Sequence, residues 1–315
     1  MSVMRETMWR QPADLRELLA DPAPVEAVAA RLEGRRVLLV GTGTSWHAAN
    51  HGAWLLREAG VEAWAVQALD VALHGPRPGP DDALLLLSHR NTKRYTSEVL
   101  ERARVEGIPT VVVAGRGSPG ADVETVEPER CAAFTASHLG ALMRLAQLAV
   151  ELGAELGSLA DVPAAVEAML GRPGPLVPVP TRLLEFTGAG PNQWTAAEGA
   201  LKVRETARIA AEGLSVEQLY HGPSVALDER DALVCLDGGG PGAERVAAVA
   251  GAAEACGTTV ERIRDEALGE ALSIFPLTVA VQRIALECAE ALGTDPCAFG
   301  YDVPGRREAW QPIGL

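Results

Sequence analysis

The stretch Arg36-Val-Leu-Leu-Val-Gly-Thr-Gly-Thr-Ser45 is a short unbroken apolar run that ends in a glycine-rich turn. A run of this length, closed by a turn signal, has the form of a strand buried on both faces. An apolar helix through Leu56 follows it. The order then repeats. Ala83-Leu-Leu-Leu-Leu87 leads into the polar turn Ser88-His-Arg-Asn-Thr92, a helix is predicted from about Arg94 to Glu106, and Thr110-Val-Val-Val113 supplies the next strand. Strands alternating with helices specify a parallel sheet covered on both sides, here closed by a helix over Phe134 to Leu152.

A Pro- and Gly-rich stretch, Gly171-Arg-Pro-Gly-Pro-Leu-Val-Pro-Val-Pro180, interrupts this pattern, and the pattern then restarts. Arg182-Leu-Leu-Glu-Phe-Thr-Gly-Ala-Gly190 matches the first stretch, and Ala232-Leu-Val-Cys-Leu-Asp-Gly-Gly-Gly240 takes the place of Ala83 to Arg90. An alanine-rich helix follows, ending in Gly257-Thr-Thr-Val260 as the first ends in Gly107-Ile-Pro-Thr110. Two tandem copies of one doubly wound, flavodoxin-like α/β domain explain this order. The expected divisions are a helical arm over 1–33, with Leu15, Leu18, Leu19 and Val25 at helix-like intervals, a first domain over 34–165 and a linker over 166–182. A second domain over 183–300 and a tail over 301–315 complete the chain.

The copies have diverged in their turns. In the first, Thr42, Thr44 and Ser45, with Gly43 between them, and again Ser88, Asn91 and Thr92, offer hydroxyls and backbone N–H groups at helix starts, which is how an anion is held without net positive charge. The alternative is that glycine merely permits a tight turn there. In the second copy, Glu198, Lys202 and Glu205 stand at i, i+4 and i+7, on one face of a helix that follows the turn Thr187-Gly-Ala-Gly-Pro191, where a cleft is expected. A carboxylate beside a cation can serve as a tuned general base. The plainer reading of Glu198 and Lys202 is a helix-surface ion pair. His221-Gly-Pro223 follows after a short connection.

Composition narrows the function classes. A net charge of -14 disfavours nucleic acid and anionic membranes, and the scattered Trp residues offer no stacking platform. No apolar run of about 18 residues and no secretion signal is apparent, so a soluble cytoplasmic protein is expected. Cys131, Cys235, Cys256, Cys288 and Cys297 are odd in number and unpaired in spacing, so reduced thiols are expected. His47, His51, His74, His89 and His138 lack metal-ligand spacing and read as partly buried, hydrogen-bonded histidines, with no metal or cofactor expected. Gly238-Gly-Gly-Pro-Gly242 lacks the Lys-Ser/Thr ending of a nucleotide loop and reads as a flexible turn.

With Met4-Arg-Glu-Thr-Met-Trp-Arg-Gln-Pro12, Gly41-Thr-Gly-Thr-Ser-Trp-His-Ala48, Ala197-Glu-Gly-Ala-Leu-Lys-Val-Arg-Glu205 and His221-Gly-Pro223, the chain resembles the double SIS (sugar isomerase) domain family. The likeness is greatest to the isomerase half of the glucosamine-6-phosphate synthases and spans nearly the whole chain. It implies that Ser45 and Ser88 hold a sugar phosphate and that Glu205 shuttles a proton between C1 and C2, with Lys202 and Glu198 as its neighbours. His221 would open the sugar ring from the partner subunit of a homodimer. The departures carry weight too. A glutaminase domain with its leading cysteine is not seen, so glutamine-dependent amination by this chain alone is not expected. The stretch from Gly293 to Leu315 holds no lysine, only Arg306 and Arg307, and a guanidinium does not form the imine that the synthases make. The family's Ser-Gln-Ser-Gly-x-Thr turn reads Ser88-His-Arg-Asn-Thr-Lys93 here, adding His89, Arg90 and Lys93 to the phosphate set. Arg90 either grips a more highly charged ligand or fills the pocket. The resemblance thus implies a sugar-phosphate or amino-sugar-phosphate isomerase or deaminase. Its alternatives are a phosphosugar sensor without turnover and a partner protein with a decayed site.

Overall fold

The computed structural model describes residues 2–313; Met1, Gly314 and Leu315, at the ends of the expected arm and tail, lie outside the described residues. In chain order the elements are α1 (Val3–Ala20), α2 (Ala23–Ala29), β1 (Arg36–Gly41), α3 (Thr44–Glu58), β2 (Ala63–Gln67), α4 (Ala68–Leu73), β3 (Asp82–Leu87), α5 (Arg94–Glu106), β4 (Thr110–Ala114), β5 (Val123–Glu124), α6 (Ala136–Glu151) and α7 (Val162–Leu170). Then follow β6 (Leu184–Gly188), α8 (Asn192–Thr206), β7 (Ala211–Ser215), α9 (Val216–Tyr220), β8 (Ala232–Asp237), α10 (Ala243–Ala255), β9 (Thr259–Arg264), α11 (Gly269–Leu292) and α12 (Arg306–Trp310).

The strands form two wholly parallel sheets, ordered β2-β1-β3-β4-β5 and β7-β6-β8-β9. The apolar runs β1 and β3 are buried throughout apart from Arg36, as strands covered on both faces must be. Each sheet carries the same device at the entry to its central strands: Arg36 of β1 forks onto Asp82 of β3 with both bonds at 2.8 Å, and Arg182, just before β6, forks onto Asp231, just before β8. Such planar bidentate pairs fix the register of neighbouring strands as well as adding charge-assisted bonds.

The sheets belong to two compact units that interleave in sequence. One holds the first sheet and comprises Ala13–Glu129, Ala136–Ala160 and the chain from Val303; the other holds the second sheet and comprises the chain through Pro12, Arg130–Thr135 and Asp161–Asp302. The units therefore differ from contiguous segments. Of the expected linker 166–182, the first residues belong to α7, whose Val166, Met169 and Leu170 are buried. Arg283 further ties this segment down by donating to the carbonyls of Met169 at 2.9 Å and Arg172 at 2.6 Å. The expected arm is likewise packed: Leu15, Leu18 and Val25 are buried, and Arg144 of α6 donates to the carbonyls of Leu18 and Asp21 at 3.2 and 2.6 Å.

The expectation of reduced thiols throughout is corrected. Cys131 and Cys297, 166 residues apart, form a disulfide within the second-sheet unit, while Cys235, Cys256 and Cys288 are free. Spacing could not reveal a pair that tertiary folding alone brings together. Helix α11 is long and apolar enough to cross a membrane, yet 89% of its most apolar window is buried inside the protein, as in a core helix.

The second sheet also holds a carboxyl group that its sequence setting disguises. Glu185 on β6 is 1% exposed, is in register with Glu212 on β7, and its Oε1 has no hydrogen-bond partner among the described residues. Burial, reinforced by Glu212 and Asp231, pushes its pKa up to about 8. The folded chain therefore keeps a proton that the unfolded chain loses above its ordinary range near 4.5. Stability is full below that range and falls as pH rises toward 8, by about 3–5 kcal/mol in all. Glu185→Gln should flatten this fall and leave the variant more stable than the native chain at pH 9. Parallel urea midpoints for the two chains between pH 5 and 9 would sink the assignment.

Candidate active site

Helix α8 starts directly after β6. Gly188 makes this possible, because a Cβ there would lie 2.6 Å from the Asn192 carbonyl oxygen. The helix then runs between other elements: Gly199 faces Val281 of α11, and Thr206 donates through Oγ1 to the Lys202 and Ala285 carbonyls at 2.8 and 3.1 Å. The charged face, about 100° round the helix from Gly199 and Thr206, is closed off as well. Glu198 and Lys202 are fully buried, whereas the Glu205 side chain keeps 15% of its exposure. Lys202 Nζ stands 3.5 Å from Glu198 Oε1 and bonds Glu205 Oε2.

The helix-surface reading of Glu198 and Lys202 is thereby overturned, since a surface pair is solvated and this one is not. Two carboxylates and an ammonium taken out of water cost several kcal/mol per ion unless their mutual attraction offsets it, so a set of this kind is poor evidence for stability and better evidence for a site. It also lies away from the Thr187–Pro191 turn. Glu198 and Glu205 are about 9 and 20 Å along the helix axis from Asn192.

The edge of that second sheet is occupied by the protein itself. A Cβ at Gly238 would meet Ser273 Oγ at 2.2 Å, and one at Gly240 would lie within 2.3 Å of the Glu270 carboxylate. Gly238 is thus buried against the start of α11, while Gly239 and Pro241 stay exposed.

His221 follows α9 on an exposed corner of the same unit, its side chain 67% accessible, with Nε2 3.1 Å from Glu217 Oε2. Strand β7 and helix α9 separate it from α8, so no continuous helix links it to Glu205.

The first-sheet unit presents its polar turns where the strand order reverses, after β1 and β3. In an open parallel sheet of this order, that switch point is where ligands bind. After β1, Gly43 adopts φ +58° and α3 begins, with Thr44 and Ser45 half-buried at its first turn. After β3, Ser88 is buried, Asn91 takes φ +48° with its Nδ2 donating to the Pro119 carbonyl at 2.7 Å, and Arg90, Thr92 and Lys93 are exposed.

Of the two readings of His89, the structure matches the partly buried, hydrogen-bonded one. Its ring lies against Gly115, its Nε2 accepts the Glu129 amide at 3.3 Å, and burial aided by Arg90 lowers its pKa to about 4. The imidazole is neutral and faces inward, which suits holding the turn and not pairing with a phosphate.

Sequence reading passed over the residue that organises this turn. Glu129 is buried; besides bonding His89, its carbonyl lies 3.5 Å from Arg90 Nη2 and its Oε1 accepts the Ser137 amide at 2.7 Å, capping α6. An acidic residue shortly before a helix was the available signal. Its link to a turn forty residues earlier was not in the sequence pattern.

No family model matches the chain. It is 25% identical over 261 residues to the glutamine–fructose-6-phosphate aminotransferase [isomerizing] of Chlorobaculum tepidum, a match covering 72% of this chain and 42% of the relative. The match thus takes in less than half of that relative's length. The tagatose-6-phosphate ketose/aldose isomerase of Escherichia coli superposes with a TM-score of 0.80 at 20% identity, covering 95% of both chains. The glucosamine-6-phosphate deaminase of Thermotoga maritima gives a TM-score of 0.80 at 18% identity, covering 94% of this chain and 97% of its own. The chain looks like the isomerase part of such aminotransferases, with the α/β fold of the sugar isomerase (SIS) proteins.

Proposed function

We propose that the protein is a sugar-phosphate or amino-sugar-phosphate isomerase or deaminase working by ring opening and proton transfer between C1 and C2. The observation that carries this reading is the α8 set, in which a buried Lys202 is held between Glu198 and Glu205 and Glu205 keeps partial access. In this reading Glu205 removes the proton beside the carbonyl of the open-chain sugar and returns it to the neighbouring carbon. Lys202 bonds that carboxyl group from one side, and Glu198 stands 3.5 Å from the Lys202 Nζ on the other. Gly43, Thr44 and Ser45, with Ser88, Asn91 and Thr92, take the phosphate, and Arg90 and Lys93 add charge at the rim. The isomerase and deaminase of the same fold support the reaction class. The matching strand orders and Arg–Asp forks of the two sheets support an internal duplication.

Thermal shift against fructose 6-phosphate, tagatose 6-phosphate and glucosamine 6-phosphate, followed by NMR of solvent deuterium entering C1 or C2, tests the reading. Binding without deuterium entry would replace it with the sensor reading. Ser88→Ala combined with Thr92→Val should weaken the sugar phosphates roughly tenfold or more through two lost bonds to a charged group, and leave unphosphorylated sugars unaffected. Equal weakening of both ligands, seen by calorimetry, would put the phosphate elsewhere.

The proposed active unit is a homodimer in which His221 serves the partner's Glu205. The exposure of His221 supports this. Inactive Glu205→Gln and His221→Ala chains, co-expressed, should regain activity, because a heterodimer then rebuilds one intact site from two defects. Heterodimers without activity, alongside active wild-type mixtures, would end the shared-site proposal.

A further inference from the structure

The corner that bears His221 carries more than the histidine. Ser215 caps α9 by accepting the Gln218 amide at 3.2 Å, so the short helix starts at a fixed point and delivers Glu217 and His221 one turn apart. His221 Nε2 stands 3.1 Å from Glu217 Oε2. The same carboxylate is gripped from α10: Arg245 bonds Glu217 Oε1 through Nε and lies 3.3 Å from Oε2 through Nη2. The Arg245 guanidinium also stacks 4.3 Å over the Tyr220 ring, and that ring meets the His221 imidazole edge-on at 4.9 Å. Arginine, carboxylate, imidazole and phenol thus form one linked group, although each is solvent-facing.

We infer that Glu217, clamped by Arg245, is a positioning residue for His221, fixing the imidazole as the Nε2–H tautomer so that Nδ1 is the atom offered to a substrate. This rests on the reading of His221 as the ring-opening group. A carboxylate is acceptor-only, so the nitrogen facing it must carry the proton, and the other nitrogen is left with its lone pair. Arg245 ensures that the carboxylate is present as such, holding the Glu217 carboxyl below its usual range. During ring opening a protonated His221 gives its Nδ1 proton to the ring oxygen as the bond from the anomeric carbon to that oxygen breaks. The anomeric hydroxyl loses its proton to water as the carbonyl forms. The imidazole is left in the neutral Nε2–H form that Glu217 favours.

The first measurement needs no substrate. In ¹⁵N-labelled protein, at a pH where the imidazole is neutral, two-bond proton–nitrogen correlations should show His221 protonated almost wholly at Nε2. Glu217→Ala should release it to a mixture of both tautomers, and Glu217→Gln, which keeps an acceptor oxygen, should hold the Nε2–H form. An unchanged tautomer in Glu217→Ala would overturn the inference. The second measurement uses fructose 6-phosphate and its 5-deoxy analogue, which cannot close a furanose ring. Glu217→Ala should lower kcat about tenfold on the first and spare the second. Equal losses on both would also overturn it, since they would place Glu217 outside ring opening. If neither sugar is turned over while the tautomer shifts as stated, the assignment of Glu217 stands and the proposed function fails.

Discussion

Glu205→Gln should abolish the entry of solvent deuterium at C1 and C2 of a sugar phosphate and leave binding nearly intact. The amide has the shape of the carboxylate and still accepts a hydrogen bond from Lys202, but it cannot take a proton from carbon. The loss should be about 10²–10⁴-fold in turnover, the usual contribution of a positioned general base, with the dissociation constant changed by no more than about threefold. NMR of the exchange reaction and calorimetry of binding check the two halves separately. Because Glu205 is the member of the charged set that keeps side-chain access, it is the one placed to meet a ligand. Persisting exchange would remove the proposed mechanism at its centre.

Lys202→Met should cost about 3–5 kcal/mol of stability, the penalty for leaving a buried carboxylate without its partner. Glu198 cannot turn to solvent, since its side chain is wholly covered, and the thioether supplies no charge in place of the ammonium 3.5 Å away. Adding Glu198→Gln should recover part of the loss, because removing both charges is cheaper than stranding one. Urea denaturation of the two variants and the native chain measures this. A single variant within about 1 kcal/mol of the native chain would show that the trio is solvated.

Much of the fold was legible because a buried parallel strand must be apolar along its whole length and must end where glycine lets the chain turn into a helix. Arg36 to Gly41, Asp82 to Leu87 and Arg94 to Glu106 lie within a residue or so of where the pattern put them. The polar turns after β1 and β3 were legible for the same reason, although that these two strands flank the switch point is a matter of strand order and hence of tertiary structure. His89 was not. Its place in the turn is a matter of spacing, but its neutrality comes from burial beside Gly115 and a bond from Glu129, contacts made across forty residues.

By itself, then, the sequence determined two parallel sheets with helices between their strands and put Glu198, Lys202 and Glu205 on one helix face, because periodicity along the chain is a local property. Only the tertiary structure decided that this face is closed off from solvent, so that a surface ion pair becomes a buried trio. It also joined Cys131 to Cys297, filled the second glycine turn with Glu270, and drew residues 130–135 into a unit otherwise formed by distant segments. Spacing fixes which side chains share a face, whereas burial, and with it charge state, depends on what remote chain packs against that face.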